Sequence, residues 1–257
     1  MQLYNLTPVI LTMNDEYWLP YALESLSGHF NRYVIYDVGS TDRTKDVIDW
    51  FAQKEKKRAD LFIRYLPFVP PVVQGAFRNS MIAESEAEWY FIVDADEIYK
   101  PEALRAIINA VSNRNDSKPY GIVNRVEVVE GLTQAYGTQA FLPHHRVYHR
   151  TAYWQGTHPG EVAVIPQKAS NEYTITGATC YHFHNTHRST KDSEVPKRIE
   201  RRSQATYHRG ELAQLNVVKE LPILLQRFED FPINPSLQEI HDRTPERALT
   251  RRIYENL

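Results

Sequence analysis

The sequence predicts an α/β fold, a mostly parallel sheet flanked by helices with a C-terminal helical extension. Two observations predict it. Apolar strand-like runs and helix-like stripes alternate four times within the first 111 residues, the pattern of a parallel sheet covered on both faces. The run Trp89-Tyr90-Phe91-Ile92-Val93 is apolar without alternation, as a strand buried on both faces is, and it empties into Asp94-Ala95-Asp96.

The elements follow in order. Pro8 to Thr12 reads as a short strand. Leu19, Leu23 and Leu26 have helical spacing, with Asn14 or Asp15 as the expected N-cap. Tyr33 to Tyr36 is a second strand, ending at Asp37. Gly39-Ser40-Thr41-Asp42 turns the chain into a helix whose apolar stripe is Val47, Ile48 and Phe51. Leu61 to Leu66 is a third strand, 76–86 a helix, 89–93 the fourth strand, and Pro101 opens a helix over 101–111. Beyond it the pattern changes. Gly121 to Val129 alternates as a longer strand, and Val147-Tyr148, Val162 to Ile165 and Thr179 to Phe183 read as short strands. From Ser189 the chain reads as helical and charged. Residues 188–209 carry seven Lys/Arg against three Asp/Glu, and 212–228 reads as an amphipathic helix that Pro222 must kink or split.

Composition bounds the function. The chain has 257 residues, 42% of them hydrophobic, enough for one substantial core. Thirty Lys+Arg against 32 Asp+Glu leave a net charge of -2, so no global field recruits nucleic acid. The single cysteine, Cys180, excludes an internal disulfide and reads as a small buried apolar residue. Residues 1–13 lack a basic n-region, and no segment reaches the roughly 20 apolar residues of a membrane helix. The expectation is a cytoplasmic protein without a transmembrane segment. Peripheral membrane contact and oligomeric state stay open.

The chemistry is expected at one rim. In parallel sheets ligands bind beyond the carboxyl ends of the strands, where Thr12, Asp37, Asp94 and Asp96 stand. Asp37 ends the second strand of a βαβ unit, a position for a carboxylate that reads a nucleoside, yet no Gly-x-Gly follows the first strand. A diphosphate bound here needs another neutralising device. Asp94 and Asp96 supply it through a hard, oxygen-ligated cation, Mn2+ or Mg2+, and Arg78 can add a charge-assisted contact.

Four stretches carry a family resemblance: Val9 to Glu16 with Leu19, Leu23, Ser25 and Leu26; Asp37 to Thr44; Gly75 to Asn79; and Glu88-Trp89 running into Asp94-Ala95-Asp96-Glu97. Together, in that order and spacing over residues 8–100, they resemble family 2 glycosyltransferases of the GT-A fold. The resemblance implies an inverting, metal-dependent glycosyltransferase of the hexosyltransferase type. It divides the chain into a catalytic domain over 1–188, with a donor half over 1–100 and an acceptor half over 101–188, and a helical extension over 189–257. Position by position it places Thr12, Asn14 and Glu16 at the start of the donor pocket, Asp37 on the nucleobase, Arg78 near the donor, Asp94 with Ala95 toward the ribose or sugar, and Asp96 on the metal, with Asp94 beside it. Val38 stands where the family often has a second acid.

Later fragments are thinner. Trp154-Gln155-Gly156-Thr157-His158-Pro159-Gly160-Glu161 resembles the family's acceptor-side segment. It points to Glu161 as the base that deprotonates the acceptor, His158 as the second candidate, and Trp154 as a sugar platform. Cys180 to His184 with Arg188-Ser189 resembles the segment whose His completes the metal shell, His184 by spacing, His182 as the alternative. The implied partners are a nucleotide sugar, UDP-linked in preference and GDP-linked or thymidine-linked otherwise, and a carbohydrate or glycoconjugate hydroxyl. Three other readings compete. A haloacid-dehalogenase-type phosphatase shares Asp-x-Asp, but after the first strand and with Gly-Thr following. A nucleotidyltransferase expects a Gly-rich basic N-terminal loop. A non-catalytic nucleotide- or carbohydrate-binding module expects a decayed acid set.

Overall fold

A computed structural model describes residues 4–68, 70, 73–113, 122–130, 134–136, 144–156, 162–164, 173–183, 186–195, 212–214 and 217–225. Its first part alternates as the sequence predicts: β1 (Tyr4–Thr12), α1 (Leu19–Leu26), β2 (Arg32–Asp37), α2 (Thr44–Glu55), β3 (Asp60–Tyr65), α3 (Gln74–Ser85) and β4 (Ala87–Asp94). A three-residue strand that periodicity does not show, β5 (Glu97–Tyr99), follows the acids, and then α4 (Pro101–Ser112). Lys100 is extended (φ -71°, ψ 150°), as the residue before a proline must be, and Pro101 begins the helix. Neither Asn14 nor Asp15 caps α1. The helix starts at Leu19 after Trp18, with Pro20 in its first turn, because both polar side chains are spent on loop contacts described below.

The remaining strands are β6 (Ile122–Glu130), β7 (Gln134–Tyr136), β8 (His144–His149), β9 (Tyr153–Gln155), β10 (Val162–Val164), β11 (Tyr173–His182) and β12 (Leu212–Gln214). The main sheet runs β12-β7-β6-β8-β4-β1-β2-β3, with β11 joined to β6 and β5. The strands β4, β1, β2 and β3 are parallel. Strand β8 runs antiparallel to both β4 and β6, while β11 is parallel to β6. Strands β9 and β10 form a separate antiparallel hairpin. Inside the stretch over 212–228, expected as an amphipathic helix kinked or split at Pro222, the described residues hold β12, a helical turn α5 (Val217–Glu220) and a 3-10 turn (Pro222–Leu225). The edge of β7 offers backbone partners that β12 takes, and Pro222 cannot continue a helix.

The core explains the continuous apolar runs. Alternate strand residues part to opposite faces. Ile10, Ile35, Phe91 and Val93 pack with α1, α2 and α4 through Leu23, Phe51 and Leu104. Val9, Val34, Tyr90 and Ile92 pack on the other face with Met81 of α3 and Tyr148 of β8. A third cluster, Trp18, Ile98 and Phe183, joins α1 to β5 and the end of β11, with the Trp18 and Phe183 rings stacked 3.9 Å apart.

Candidate active site

Strand register brings the rim together. Thr12 pairs with Asp37 at the ends of β1 and β2, and Leu11 pairs with Asp94 at the end of β4. Thr12, Asp37 and Asp94, three of the four polar residues expected at one lip, therefore stand side by side there. Asp37 is buried and accepts Ser40 N–H at 2.9 Å and Ser40 Oγ–H at 2.6 Å on Oδ1. Burial raises its pKa, partly offset by those hydrogen bonds. The turn at Gly39 (φ +101°) needs glycine, because a Cβ there would lie 2.5 Å from the backbone N and Cα of Phe68.

The residues expected at the start of the donor pocket are held by the protein itself. Thr12 Oγ donates to Asp15 Oδ2 at 2.9 Å. Asn14 has φ 52°, a left-handed conformation that asparagine tolerates, and its Oδ1 accepts Thr41 N–H at 2.8 Å. Glu16 Oε1 accepts both Thr190 N–H and Thr190 Oγ–H at 2.7 Å. Ser189 Oγ donates to Asp42, and Trp18 Nε1 donates to the carbonyl of His187 at 2.9 Å. The segment 186–191 is thus fastened over the first strand–helix loop.

The Asp-Ala-Asp turn is the electrostatic centre. Arg146 of β8 bridges Asp94 Oδ2 (2.8 Å) and Glu97. Burial works against the charge of Asp94, but Arg146 first, then Arg78 and His182, hold its carboxyl well below the usual carboxylate range. Glu97, fully buried, is raised by desolvation, and Arg146 opposes this. Asp96 is also fully buried. Its Oδ2 lies 2.6 Å from Arg188 Nη1 and 3.4 Å from His182 Nε2. Arg188 also holds Asp15 Oδ1 at 2.7 Å. Burial disfavours protonated His182, but Asp96 above all, with Glu97 and Asp94, raises its pKa above the ordinary histidine value.

One oxygen each from Asp94 and Glu97 and one His182 nitrogen lie within 4.8 Å of one another. Asp96 reaches the same imidazole. Two or three carboxylates and one imidazole form a donor set suited to Mn2+ or Mg2+. Asp15, Asp94, Asp96 and Glu97 crowd this turn, paired with Arg146 and Arg188, while Arg78 and His182 also act on Asp94.

On the other side of the rim Arg78 lies over the Trp154 ring, 4.9 Å from its centroid, so one face of the expected sugar platform carries a guanidinium. Asn79 clamps the Trp154 backbone with hydrogen bonds of 3.0 and 2.7 Å, fixing the β9–β10 hairpin to α3. His158 and Glu161, the candidates for the base, and His184 lie outside the described residues. Sequence reading passed over Arg146, Glu97, Asp15 and Arg188 as site residues. Glu97 could have been suspected from its place after Asp-Ala-Asp. Arg146, in the polar run His144-His145-Arg146, carries no such signal.

The family model described as "Glycosyl transferase family 2" matches residues 8–174. No curated protein sequence matches the chain. Among solved structures, S. aureus TarS 1-349 is 15% identical, covering 70% of this chain and 60% of its own, with a TM-score of 0.48. The complex of TarS 1-349 with UDP is 17% identical, covering 58% and 50%, at 0.43. Mannosyltransferase PcManGT from Pyrobaculum calidifontis, in complex with GDP-Man and Mn2+, is 22% identical, covering 51% and 36%, at 0.37. The chain spans less than two thirds of the length of these solved chains. No helix among the described residues is long and apolar enough to cross a membrane.

Proposed function

Because the chain belongs to glycosyl transferase family 2, we propose that it transfers a sugar from a nucleoside-diphosphate sugar to an acceptor hydroxyl, with inversion at the anomeric carbon and a divalent cation. The observation that carries this reading is the convergence of Asp94, Asp96, Glu97 and His182 beside Asp37 at one strand-end rim. A phosphatase of the dehalogenase type has no such support: its acid pair follows the first strand, whereas Asp94 ends the fourth.

Each group has a role in this proposal. Asp37 receives the nucleobase, for which a uridine N–H is the favoured partner. Asp94, Asp96 and His182, with Glu97 beside them, would hold Mn2+ or Mg2+. When bound, that ion stabilises the charge on the departing diphosphate as a Lewis acid. Arg78 faces Asp94 and adds a guanidinium on the donor side, while Trp154 beneath it forms the wall toward the acceptor. Arg146 keeps Asp94 ionised and fixed. The base is assigned to Glu161, then His158. Both belong to the connection between β9 and β10, strands that are anchored beside Arg78 by Asn79.

Thermal melting with UDP, UDP-sugars and GDP-mannose, with and without Mn2+, tests the reading, since a ligand that binds the folded form raises its apparent stability. The expected result is stabilisation by a nucleotide sugar only with the metal, and loss of that effect in Asp96→Asn. Equal stabilisation by a simple phosphate ester, or hydrolysis of one without nucleotide preference, would refute it.

A further inference from the structure

Arg188 is tied to its surroundings in two separable ways. Its backbone is anchored: Tyr17 N–H donates to the Arg188 carbonyl at 3.0 Å, and Arg188 N–H donates to Asp192 Oδ2 at 3.1 Å. Thr190, two residues on, is fixed to Glu16. The guanidinium bonds elsewhere. Nε and Nη2 hold Asp15 Oδ1 at 2.7 Å, and Nη1 reaches Asp96 Oδ2 at 2.6 Å. The Asp96 side chain is fully buried, and a buried carboxylate needs a cationic partner. The side chain of Arg188 can leave Asp96 without undoing the segment that carries it.

We propose that Arg188 is the resident counter-ion of Asp96, that it releases this carboxylate when a divalent cation binds, and that its freed Nη1 edge then holds the donor's diphosphate. The inference rests on the metal-dependent reading above and adds an exchange to it. Guanidinium and metal ion are both cations and compete for one carboxylate oxygen. Asp15 remains as the pivot, keeping the guanidinium at the rim between β1 and the Asp-Ala-Asp turn. Its planar fork matches phosphate oxygens as it matches carboxylates. The exchange makes metal and nucleotide binding cooperative: the cation displaces the guanidinium, and the diphosphate gives it a new partner.

The test uses the full chain and Mn2+ alone, followed by electron paramagnetic resonance of the free ion. Arg188→Gln should bind Mn2+ about tenfold more tightly than wild type without nucleotide, because a competing positive charge is gone. The same variant should bind UDP in saturating Mn2+ about tenfold more weakly, for want of one charge-assisted contact. Unchanged or weaker Mn2+ binding in a variant with a native melting transition would overturn the proposal. Should Arg188→Gln not fold, side-chain 15N NMR of the wild-type protein decides. The Arg188 Nε–Hε signal, assigned by its absence in Arg188→Lys, should move on adding Mg2+ and again on adding UDP. A signal unmoved by both would exclude the exchange. Asp96→Asn separates the two layers. Normal Mn2+ binding in that variant would end the metal assignment of Asp96 itself. Lost binding there, without tightening in Arg188→Gln, would end only the exchange.

Discussion

His182 stands directly opposite Glu97 in the antiparallel ladder of β5 and β11. The pairing aligns the end of a strand more than eighty residues downstream with the Asp-Ala-Asp turn, and it puts an imidazole within reach of Asp94, Glu97 and Asp96 at once. If His182 is the nitrogen ligand, His182→Ala should weaken Mn2+ binding by at least about tenfold, while His184→Ala leaves it unchanged. Calorimetric titration of both variants reads the difference, and the reverse pattern would transfer the role to His184.

Arg146 is the second structural cation. Its guanidinium is nearly buried between Asp94 and Glu97, so its removal strands two carboxylates in a poorly solvated site. Arg146→Met should cost about 3–5 kcal/mol of unfolding free energy. Urea denaturation of the metal-free protein measures it. A loss below about 1 kcal/mol would show that solvent reaches the pair, as at an exposed salt bridge.

Gly39 tests the nucleoside side. Its φ of +101° and the 2.5 Å approach of the Phe68 backbone exclude a side chain. Gly39→Ala should destabilise the fold by about 1–3 kcal/mol and weaken UDP binding further by displacing the turn that orients Asp37. Calorimetry below the melting transition separates the two effects. Unchanged UDP affinity would place the nucleobase elsewhere.

Asp94 gives a pH signature. Its folded-state pKa lies below the unfolded value because Arg146, Arg78 and His182 outweigh burial. A depressed carboxyl stabilises the fold above the unfolded pKa of about 3.9 and loses that contribution as pH falls toward the folded value. The stability difference between wild type and Asp94→Asn, measured with chelator present, should therefore be larger at pH 7 than at pH 3. Glu97 titrates in the opposite sense, being raised by burial, so the difference between the two proteins is the quantity to follow. A difference independent of pH would mean that Asp94 gains nothing from its cationic neighbours.

Much of the parallel half was legible in the chain itself. Apolar runs, helix spacing and punctuation by Gly39 and Pro101 identify β1 to α4, because each is a local property of a few consecutive residues. Strand-end placement then selects Thr12, Asp37, Asp94 and Asp96, since a parallel sheet puts all its carboxyl ends on one side. The boundaries moved by a few residues, and β5 was missed because three residues show no period.

What the chain alone determined is which side chains end the parallel strands. What only the tertiary structure decided is which of them share charge. Arg146 lies about fifty residues from Asp94 and Glu97, and Arg188 about ninety from Asp96, on segments whose own pattern says nothing of the partner. Asn14 and Glu16, which the sequence places at a donor pocket, also fasten loops together through partners their own segment does not reveal. Periodicity reports burial, which is a local average over neighbours. An ion pair depends on where two separate strands meet, and that is fixed by sheet order and register.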